Sequence, residues 1–166
     1  MKFNEDKIKI IYDTREKQLH IVETLNRNGI ETEKRKLDTG DYMIEYDGEL
    51  LDSVVVERKG TLDELIGNLL DKKKDAEGNN RFMRELNRAL EQGIKVYLVI
   101  EDKDYYLKLI TGQYRSKVNS KAITGMVISL LAKYPNLHII AVNKKESPSM
   151  IYKLLMYELR EHLKNK

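Results

Sequence analysis

An acidic and a basic residue lie two positions apart at the end of a segment that reads as a β-strand. Glu57 and Lys59 close the predicted strand 50–59, and side chains two apart on a strand project from the same face of the sheet. A carboxylate and an ammonium group should therefore point together. Asp41 follows Gly40 at a turn that leads into the neighbouring strand of a hairpin, so its carboxylate can come beside that of Glu57.

These groups are the ones that a metal-dependent phosphodiesterase needs. Asp13 adds a further carboxylate, because it ends the first predicted strand and α/β folds present their ligands at the carboxyl ends of strands. Carboxylates hold a hard cation such as Mg²⁺, which keeps several waters and lowers the pKa of one of them. A lysine can orient that water or offset charge that develops on the phosphate. The chain has no cysteine and its three histidines are isolated in sequence, so any metal must be held by carboxylates.

The elements that must position these residues alternate between strands and helices. Strands are predicted where apolar residues alternate or form short runs, and helices where they recur every three to four residues between capping and stop signals. This order indicates an α/β fold in which a central mixed β-sheet is flanked by helices on both faces. Segment 102–118 has no regular pattern. The predicted strands are 7–12, 31–37, 42–46, 50–59, 95–101 and 137–142, and the predicted helices are 17–28, 61–70, 81–92, 119–133 and 147–163.

Length and composition are those of one globular domain. The chain has 166 residues, of which Leu, Ile, Val and Phe make up 47, a share above the ~20% below which disorder is expected. No apolar run approaches the ~20 residues of a membrane span, and the first residues alternate charged with apolar side chains where a signal peptide would be apolar. We therefore expect a soluble intracellular protein with no membrane partner, in the cytoplasm or nucleoid, or in the nucleus if the source is eukaryotic.

The net charge of +3 conceals an uneven distribution. Residues 1–60 hold 11 Lys or Arg against 14 Asp or Glu, whereas residues 61–166 hold 19 against 13. The acidic part can supply ligands for a hard cation, and the basic part can attract a polyanion such as nucleic acid. The same charges can also serve only to solvate the surface.

Three stretches of the chain together resemble the signature of a nuclease family. They are Asp13-Thr14-Arg15-Glu16, then Gly40-Asp41, then Glu57-Arg58-Lys59-Gly60-Thr61-Leu62-Asp63. Their order and spacing resemble the GDx(n)ERKx(3)D signature of the XPF-type structure-specific endonucleases, with the D-x-R-E that precedes it in that family. The resemblance extends to the apolar segment 96–101 and to the helix after Asn119, and it implies a restriction-endonuclease-like architecture with a PD-(D/E)xK-like centre.

The resemblance also implies roles for individual residues. Strand alternation turns Arg58 to the opposite face from its neighbours, so geometry alone gives it no catalytic role. Asp63 and Glu16 each fall in the first turn of a predicted helix, where an acid favours the helix dipole without any chemistry, and either reading is open. The implied metal ligands are Asp13, Glu16, Asp41 and Glu57, and the implied catalytic residues are Asp41, Glu57, Lys59, Arg58 and Asp63.

Two basic segments are candidates for DNA contacts. The first links the helices 61–70 and 81–92, and its candidates are Lys72, Lys73, Lys74, Arg81, Arg84 and Arg88. The three arginines are spaced to share one helix face, and Arg81 resembles an arginine that follows the catalytic helix in the family. The second segment, 103–121, holds five Lys or Arg against one acid together with Tyr105, Tyr106 and Tyr114. These tyrosines can stack on unpaired bases or pack against the sheet.

We therefore expect a Mg²⁺-dependent DNA endonuclease, with Mn²⁺ able to substitute, that acts in repair or recombination at flaps, forks or other strand junctions. Two alternatives are a catalytically silent DNA-binding or dimerisation module, and a restriction-type or resolvase enzyme with the same metal centre. The silent module is disfavoured because Asp41, Glu57, Lys59 and Asp63 are all present.

The domain organisation should be a single nuclease domain, residues 1–166. Many relatives carry a helix-hairpin-helix domain or a helicase, and neither is recognisable in this sequence. We therefore expect a homodimer or a separate DNA-binding partner protein, with the apolar helices 119–133 and 147–163 as the candidate interface.

Overall fold

Residues 2–166, the part described in the computed structural model, form one six-stranded sheet covered by six α-helices. A single 3₁₀ turn, Glu5–Lys7, precedes the first strand. The strands are β1 (Ile8–Tyr12), β2 (Glu31–Lys34), β3 (Tyr42–Tyr46), β4 (Glu49–Lys59), β5 (Lys95–Ile100) and β6 (Leu137–Ala141). The helices are α1 (His20–Arg27), α2 (Leu62–Leu69), α3 (Arg81–Glu91), α4 (Tyr105–Ile110), α5 (Ser120–Lys133) and α6 (Ser147–Lys164).

The sheet is mixed, as the alternating pattern predicts. Its order is β2-β1-β3-β4-β5-β6, and the polar strand β2 occupies one edge. β3 runs antiparallel to both β1 and β4, whereas the pairs β1–β2, β4–β5 and β5–β6 are parallel. β1, β4 and β5 therefore end at the same edge of the sheet, and this brings Asp13, Lys59 and Glu101 to a common rim.

Two apolar cores lie on opposite faces of the sheet. Side chains from α2, α3, α4 and α5 pack with Val55, Leu98 and Ile100 on one face, and side chains from α1 and α6 pack with Val54 and Val99 on the other. β4 contributes to both cores by alternation. Glu57 and Lys59 continue the row of Val55, and Arg58 continues the row of Val54.

Local signals fix the ends of several elements. The Thr61 hydroxyl accepts the N–H of Glu64 and caps α2, as the T-x-x-E pattern predicts. Asn119 caps α5 in the same way. The turn between β3 and β4 places Asp47 and Gly48 at φ 51° and 84°, the left-handed values of a tight hairpin turn.

Three elements differ from the sequence predictions. α1 begins at His20 rather than Lys17, because the preceding residues form a turn in which the Asp13 carbonyl accepts the N–H of Glu16. β2 ends at Lys34 rather than Leu37, because the N–H of Leu37 donates to the Asp13 carboxylate. Within the unpatterned segment, α4 forms without a side-chain cap.

None of the helices formed by residues 2–166 combines the length and apolar character needed to cross a membrane.

Candidate active site

One cleft brings together Lys59 and three of the carboxylates expected to lie near it, those of Asp13, Asp41 and Glu57. It has a volume of about 330 Å³ and lies beside the last residues of β4. β1 contributes one residue at its end, the turn before β3 contributes several, and α2 and α3 close the opposite wall. The lining residues are Asp13, Arg15, Asp38, Gly40, Asp41, Glu57, Lys59, Asn68, Asp71, Arg81, Phe82 and Glu85.

Backbone hydrogen bonds hold Asp41 between the ends of β1 and β4. Its carbonyl accepts the N–H of Asp13 at 2.9 Å, and its own N–H donates to the carbonyl of Val56 at 2.8 Å. Its carboxylate Oδ2 accepts the N–H of Arg58 at 2.7 Å, whereas Oδ1 receives no hydrogen bond from residues 2–166. One carboxylate oxygen is thus fixed, and the other is available to a ligand.

Gly40 makes this position of Asp41 possible. Its φ of 74° lies in the left-handed region that favours glycine. A Cβ at this position would come within 2.0 Å of Val55 Cγ2 and 3.2 Å of the Val56 carbonyl. The glycine of the G-D pair is therefore required because the turn passes directly against β4.

Glu57 and Lys59 share the cleft-facing side of β4, as their spacing predicts. Lys59 Nζ lies 3.2 Å from Glu57 Oε1 and 5.4 Å from the ring centroid of Phe82, a distance that allows a cation–π contact. Only 7% of the Lys59 side chain is exposed. The ammonium group is therefore held in place and partly dehydrated.

The electrostatics of the two carboxylates favour a bound cation. Burial raises the pKa of Asp41 well above its ordinary value, and the charge of Glu57 raises it further. Burial also raises the pKa of Glu57, and this effect exceeds the lowering effect of the Lys59 ammonium. Because the ionised forms are disfavoured, a cation between them would relieve both the desolvation and the repulsion.

The donor set fits Mg²⁺ or Mn²⁺ bound by few protein ligands. Among the described residues, no three acidic or histidine side chains converge in a geometry that could hold a metal. Mg²⁺ is commonly held by one or two carboxylates, with waters and substrate phosphate oxygens completing its coordination. Asp41 and Glu57 line the same cleft and could supply those two carboxylates.

Asp13 lines the cleft, but its carboxylate is already engaged. Oδ1 accepts the N–H of Leu37 at 2.8 Å, and Oδ2 accepts Nε of Arg15 at 2.7 Å. Burial raises the pKa of Asp13, but these hydrogen bonds outweigh it and the net pKa is lowered. The side chain is 1% exposed, so Asp13 anchors the turn beneath the cleft, and a metal could reach it only if Arg15 moved.

Glu16 is not with the other predicted metal ligands. It is absent from the cleft lining, and its carboxylate pairs with Arg58 through Nε at 2.9 Å and Nη2 at 2.8 Å. It also accepts the hydroxyl of Tyr42 at 3.0 Å. Arg58 and Tyr42 thus use both oxygens of a side chain that is 5% exposed, and the role of Glu16 as a metal ligand stays a prediction.

Arg58 lies on the face opposite Glu57 and Lys59, as strand alternation predicts. Its guanidinium pairs with Glu16 and, through Nη1, with Glu101 at the end of β5. His20 Nε2 lies 2.6 Å from the second oxygen of Glu101. The side chain of Arg58 therefore supports the rim from behind, and its N–H holds Asp41. The catalytic role that the resemblance implies for Arg58 is indirect in this arrangement.

Asp63 also lies outside the cleft. Its Oδ1 accepts the N–H of Arg115 at 2.8 Å, and Oδ2 lies 3.7 Å from Arg115 Nε. Asp63 lies in the first turn of α2, as the sequence predicts, and its catalytic role stays a prediction. It connects the first turn of α2 to the loop that follows α4.

The predicted DNA-contact residues have different surroundings. Arg81 lines the cleft and lies 3.2 Å from Glu85. Arg84 donates to the Asn79 carbonyl, and Asp75 lies 4.0 Å away and partly offsets its charge. Arg88 is exposed on α3, and so are the three lysines of the connecting segment, Lys72, Lys73 and Lys74.

Apart from Arg15, which the sequence analysis quoted only as part of the D-x-R-E stretch, four polar residues of the cleft were not identified from the sequence. They are Asp38, Asn68, Asp71 and Glu85. Glu85 was detectable in principle, since it lies four residues after Arg81 on the same helix face. The other three lie near helix or strand ends, where no periodicity indicates direction.

Comparisons with known proteins identify the family and the fold. A family model described as the ERCC4 domain matches residues 12–154. The fold is similar to a solved structure of XPF from Aeropyrum pernix, with a TM-score of 0.67 and 21% identity over 92% of this chain and 65% of that chain. A structure of XPF from Aeropyrum pernix in complex with DNA gives a TM-score of 0.65 and 20% identity, over 92% of this chain and 66% of that chain. The chain thus spans about two thirds of the length of these structures. No curated protein matches the sequence.

Proposed function

Because the chain belongs to the ERCC4 domain family, we propose that it is a Mg²⁺-dependent DNA endonuclease that hydrolyses phosphodiester bonds. One observation carries the proposal: the carboxylates of Asp41 and Glu57 and the ammonium of Lys59 line one cleft. A similar fold has been solved in complex with DNA, which supports DNA as the substrate. We further propose that the protein works inside the cell, where DNA repair and recombination take place.

Four residues of the cleft have a definite part in this mechanism. Asp41 and Glu57 would hold the cation, which when bound lowers the pKa of a water to generate the nucleophile. Lys59, fixed by Glu57 and Phe82, would offset negative charge on the phosphate as the new bond forms. Arg81, exposed at the cleft mouth, would contact a phosphate of the bound strand.

We propose flaps, forks or other strand junctions as the substrates, in repair or recombination. This preference rests on the family to which the chain belongs. The restriction-type and resolvase alternatives share the same metal centre and differ only in the DNA they cut. A panel of DNA structures therefore separates them.

The decisive experiment measures cleavage of labelled duplex, single-strand, splayed, flap and four-way DNAs with Mg²⁺, with Mn²⁺ and with chelator. We expect cleavage with either metal and none with chelator. Asp41→Asn and Glu57→Gln should each reduce the rate to less than about one hundredth, and Lys59→Ala should reduce it by about 100-fold or more while metal binding persists.

A matched control is Asp52→Asn, which alters an exposed acid at the other end of β4. This variant should cleave at the wild-type rate. Full activity in Asp41→Asn or Glu57→Gln would reject the proposed active site. Metal-independent DNA binding without cleavage by the wild type would instead support the silent module.

We also propose that the protein pairs with a second copy or a DNA-binding partner through α5 and α6. α5 exposes Ile128 and Leu131, and α6 exposes Tyr157. β6, which lies between these helices in sequence, is the last strand of the sheet. Sedimentation over a concentration series tests self-association.

A further inference from the structure

We propose that α4 and the loop that follows it, residues 105–118, bind an unpaired DNA strand beside the cleft. We call this segment the α4 arm. The inference rests on the proposed nuclease function. It adds to the cleft a second DNA-contacting surface, on which unpaired bases would stack.

Large apolar side chains of the α4 arm face solvent. Tyr106, Leu107 and Ile110 are 50%, 55% and 44% exposed. Tyr106 and Ile110 lie four residues apart and so share one face of the short helix. In contrast, Tyr105 and Tyr114 pack against the core, so only one of the three tyrosines of this segment is free to stack. Folding alone does not explain this exposed apolar face.

The charges around this face indicate the occupant. Lys103 and Lys117 are exposed and form no ion pair within residues 2–166, and the Arg115 side chain is 92% exposed. Lysine is depleted from protein–protein interfaces, whereas DNA phosphates attract it. A paired duplex keeps its bases stacked inside, but an unpaired strand offers base faces to tyrosine and apolar side chains. The combination therefore favours an unpaired strand.

Asp63 ties the α4 arm to the active-site helix. Its carboxylate accepts the N–H of Arg115 at 2.8 Å, and the loop is closed by the Tyr114 hydroxyl, which donates to the Val118 carbonyl at 2.7 Å. α2 then leads to Asn68, which lines the cleft. A helix rises about 1.5 Å per residue, so Asp63 and Asn68 are roughly 7.5 Å apart along α2, about the rise of two stacked nucleotides.

The test measures binding of labelled oligothymidine and of a labelled blunt duplex of equal length, by fluorescence anisotropy in chelator. We expect Tyr106→Ala to raise the Kd for the single strand at least about fivefold, the loss of one stacked base, and to leave duplex binding unchanged. Tyr106→Phe, which keeps the ring, should bind like the wild type. Leu50→Ala is the control for loss of an exposed apolar side chain, because Leu50 is 36% exposed at the hairpin end of β4, and it should bind both DNAs like the wild type.

Two variants of Asp63 test whether its hydrogen bond with the N–H of Arg115, which we call the tether, holds the α4 arm in place. Asp63→Asn keeps an oxygen that can accept the N–H of Arg115, and Asp63→Ala removes it. We expect Asp63→Ala to weaken single-strand binding in chelator and Asp63→Asn to retain it. A residue that acted only through the metal would leave binding in chelator unchanged in both variants, and that result would overturn the tether.

The outcomes separate this inference from the nuclease function. An unchanged single-strand Kd for Tyr106→Ala, or an equal loss on duplex, would overturn the α4 arm even if the wild type cleaves DNA with Mg²⁺. A selective loss in Tyr106→Ala with no cleavage by the wild type would support the α4 arm and overturn the nuclease. Reduced self-association of Tyr106→Ala with unchanged DNA binding would assign the face to a second copy and overturn the inference.

Discussion

Asp41 and Glu57 line one cleft at the rim of the sheet, and the negative charge of Glu57 raises the pKa of Asp41. Asp41 cannot turn away, because Oδ2 accepts the N–H of Arg58 and its backbone bonds to both neighbouring strands. Glu57 is restrained by Lys59. Such a pair destabilises the folded chain when no cation is bound, a pattern typical of sites that are arranged for function rather than stability.

At the residue scale, Asp41→Asn should stabilise the metal-free protein in a pH-dependent way. A carboxyl whose folded pKa is raised contributes stability below its ordinary pKa of about 4, and that contribution is lost as the pH rises through the raised value. The variant should therefore melt like the wild type near pH 4 and a few degrees higher near pH 7, since about 1 kcal/mol shifts Tm by 2–4 °C at this size. Thermal melts in chelator measure the difference.

Saturating Mg²⁺ should reduce or reverse this difference, because only the wild type keeps both ligands. Asp52→Asn is again the control and should show no such trend. A variant that melts below the wild type at neutral pH, or by the same margin at every pH, would contradict the repulsion between Asp41 and Glu57.

The directions of the side chains on β4 could be predicted from the sequence. Strand alternation is rigid, so the shared face of Glu57 and Lys59 and the opposite direction of Arg58 follow from spacing alone. The engagement of Asp13 by Leu37 and Arg15 was not predictable, because it depends on the path of an irregular turn. The pairing of Glu16 with Arg58 was not predictable for the same reason, because Glu16 lies in the irregular turn four residues before α1 begins.

At the scale of elements, β4 organises the site by serving both faces of the sheet. Its cleft side carries Glu57 and Lys59, while its other side carries Arg58 into the buried ion pairs with Glu16 and Glu101. Arg58 and Glu16 are 7% and 5% exposed. The buried pairs behind the sheet thereby fix the end of the strand on which the cleft depends.

Glu16→Gln should consequently destabilise the protein. Removing one partner of a buried ion pair leaves the other charge uncompensated and costs about 3 kcal/mol or more. Burial raises the pKa of Glu16, but Arg58 outweighs it and the net pKa is lowered, so this contribution is present above about pH 4.5 and is lost as the pH falls through the lowered value. Urea denaturation at several pH values measures it.

Glu23→Gln is the matched control, because Glu23 is exposed on α1 and should change stability little. If Glu16→Gln were as stable as the wild type but bound Mg²⁺ more weakly, Glu16 would be a metal ligand after all. A structural role of Glu16 thus predicts a loss of stability, whereas a role as metal ligand predicts a loss of Mg²⁺ affinity.

Elements with strong local signals were predicted closely, and those without were not. β3 matches its predicted range, and α2, α3 and α5 begin or end within a residue of their predicted limits, because capping residues and apolar periodicity agree there. α4 was missed because its apolar residues do not face the core with a helical period. Tyr106, Leu107 and Ile110 are exposed, and these apolar residues obscure the periodic pattern by which a helix packed on the core is recognised.

At the scale of the whole molecule, acidic groups form the cleft while lysines of the connecting segment stand beside it. Asp71 lines the cleft, and Lys72, Lys73 and Lys74 follow it directly and are exposed. A polyanion drawn to the lysines would therefore approach the carboxylates, where a cation is needed to offset the repulsion.

Lys73→Ala should weaken DNA binding and reduce its dependence on salt. Each lost phosphate contact lowers the slope of log K against log salt by about one. Titrations of duplex DNA at several salt concentrations measure the slope. Lys153→Ala, which alters an exposed lysine on α6, should leave it unchanged, and an unchanged slope in Lys73→Ala would show that the DNA follows another path.

The small number of carboxylates proposed to hold the cation, Asp41 and Glu57, has a thermodynamic consequence. Within the described residues no third acid or histidine completes a cage, so most coordination positions of a cation are left to solvent and to the nucleic acid itself. Linkage requires that the factor by which DNA tightens cation binding equals the factor by which the cation tightens DNA binding. Under the proposed function, neither ligand alone would be held firmly, and hydrolytic competence would arise only where both are present together.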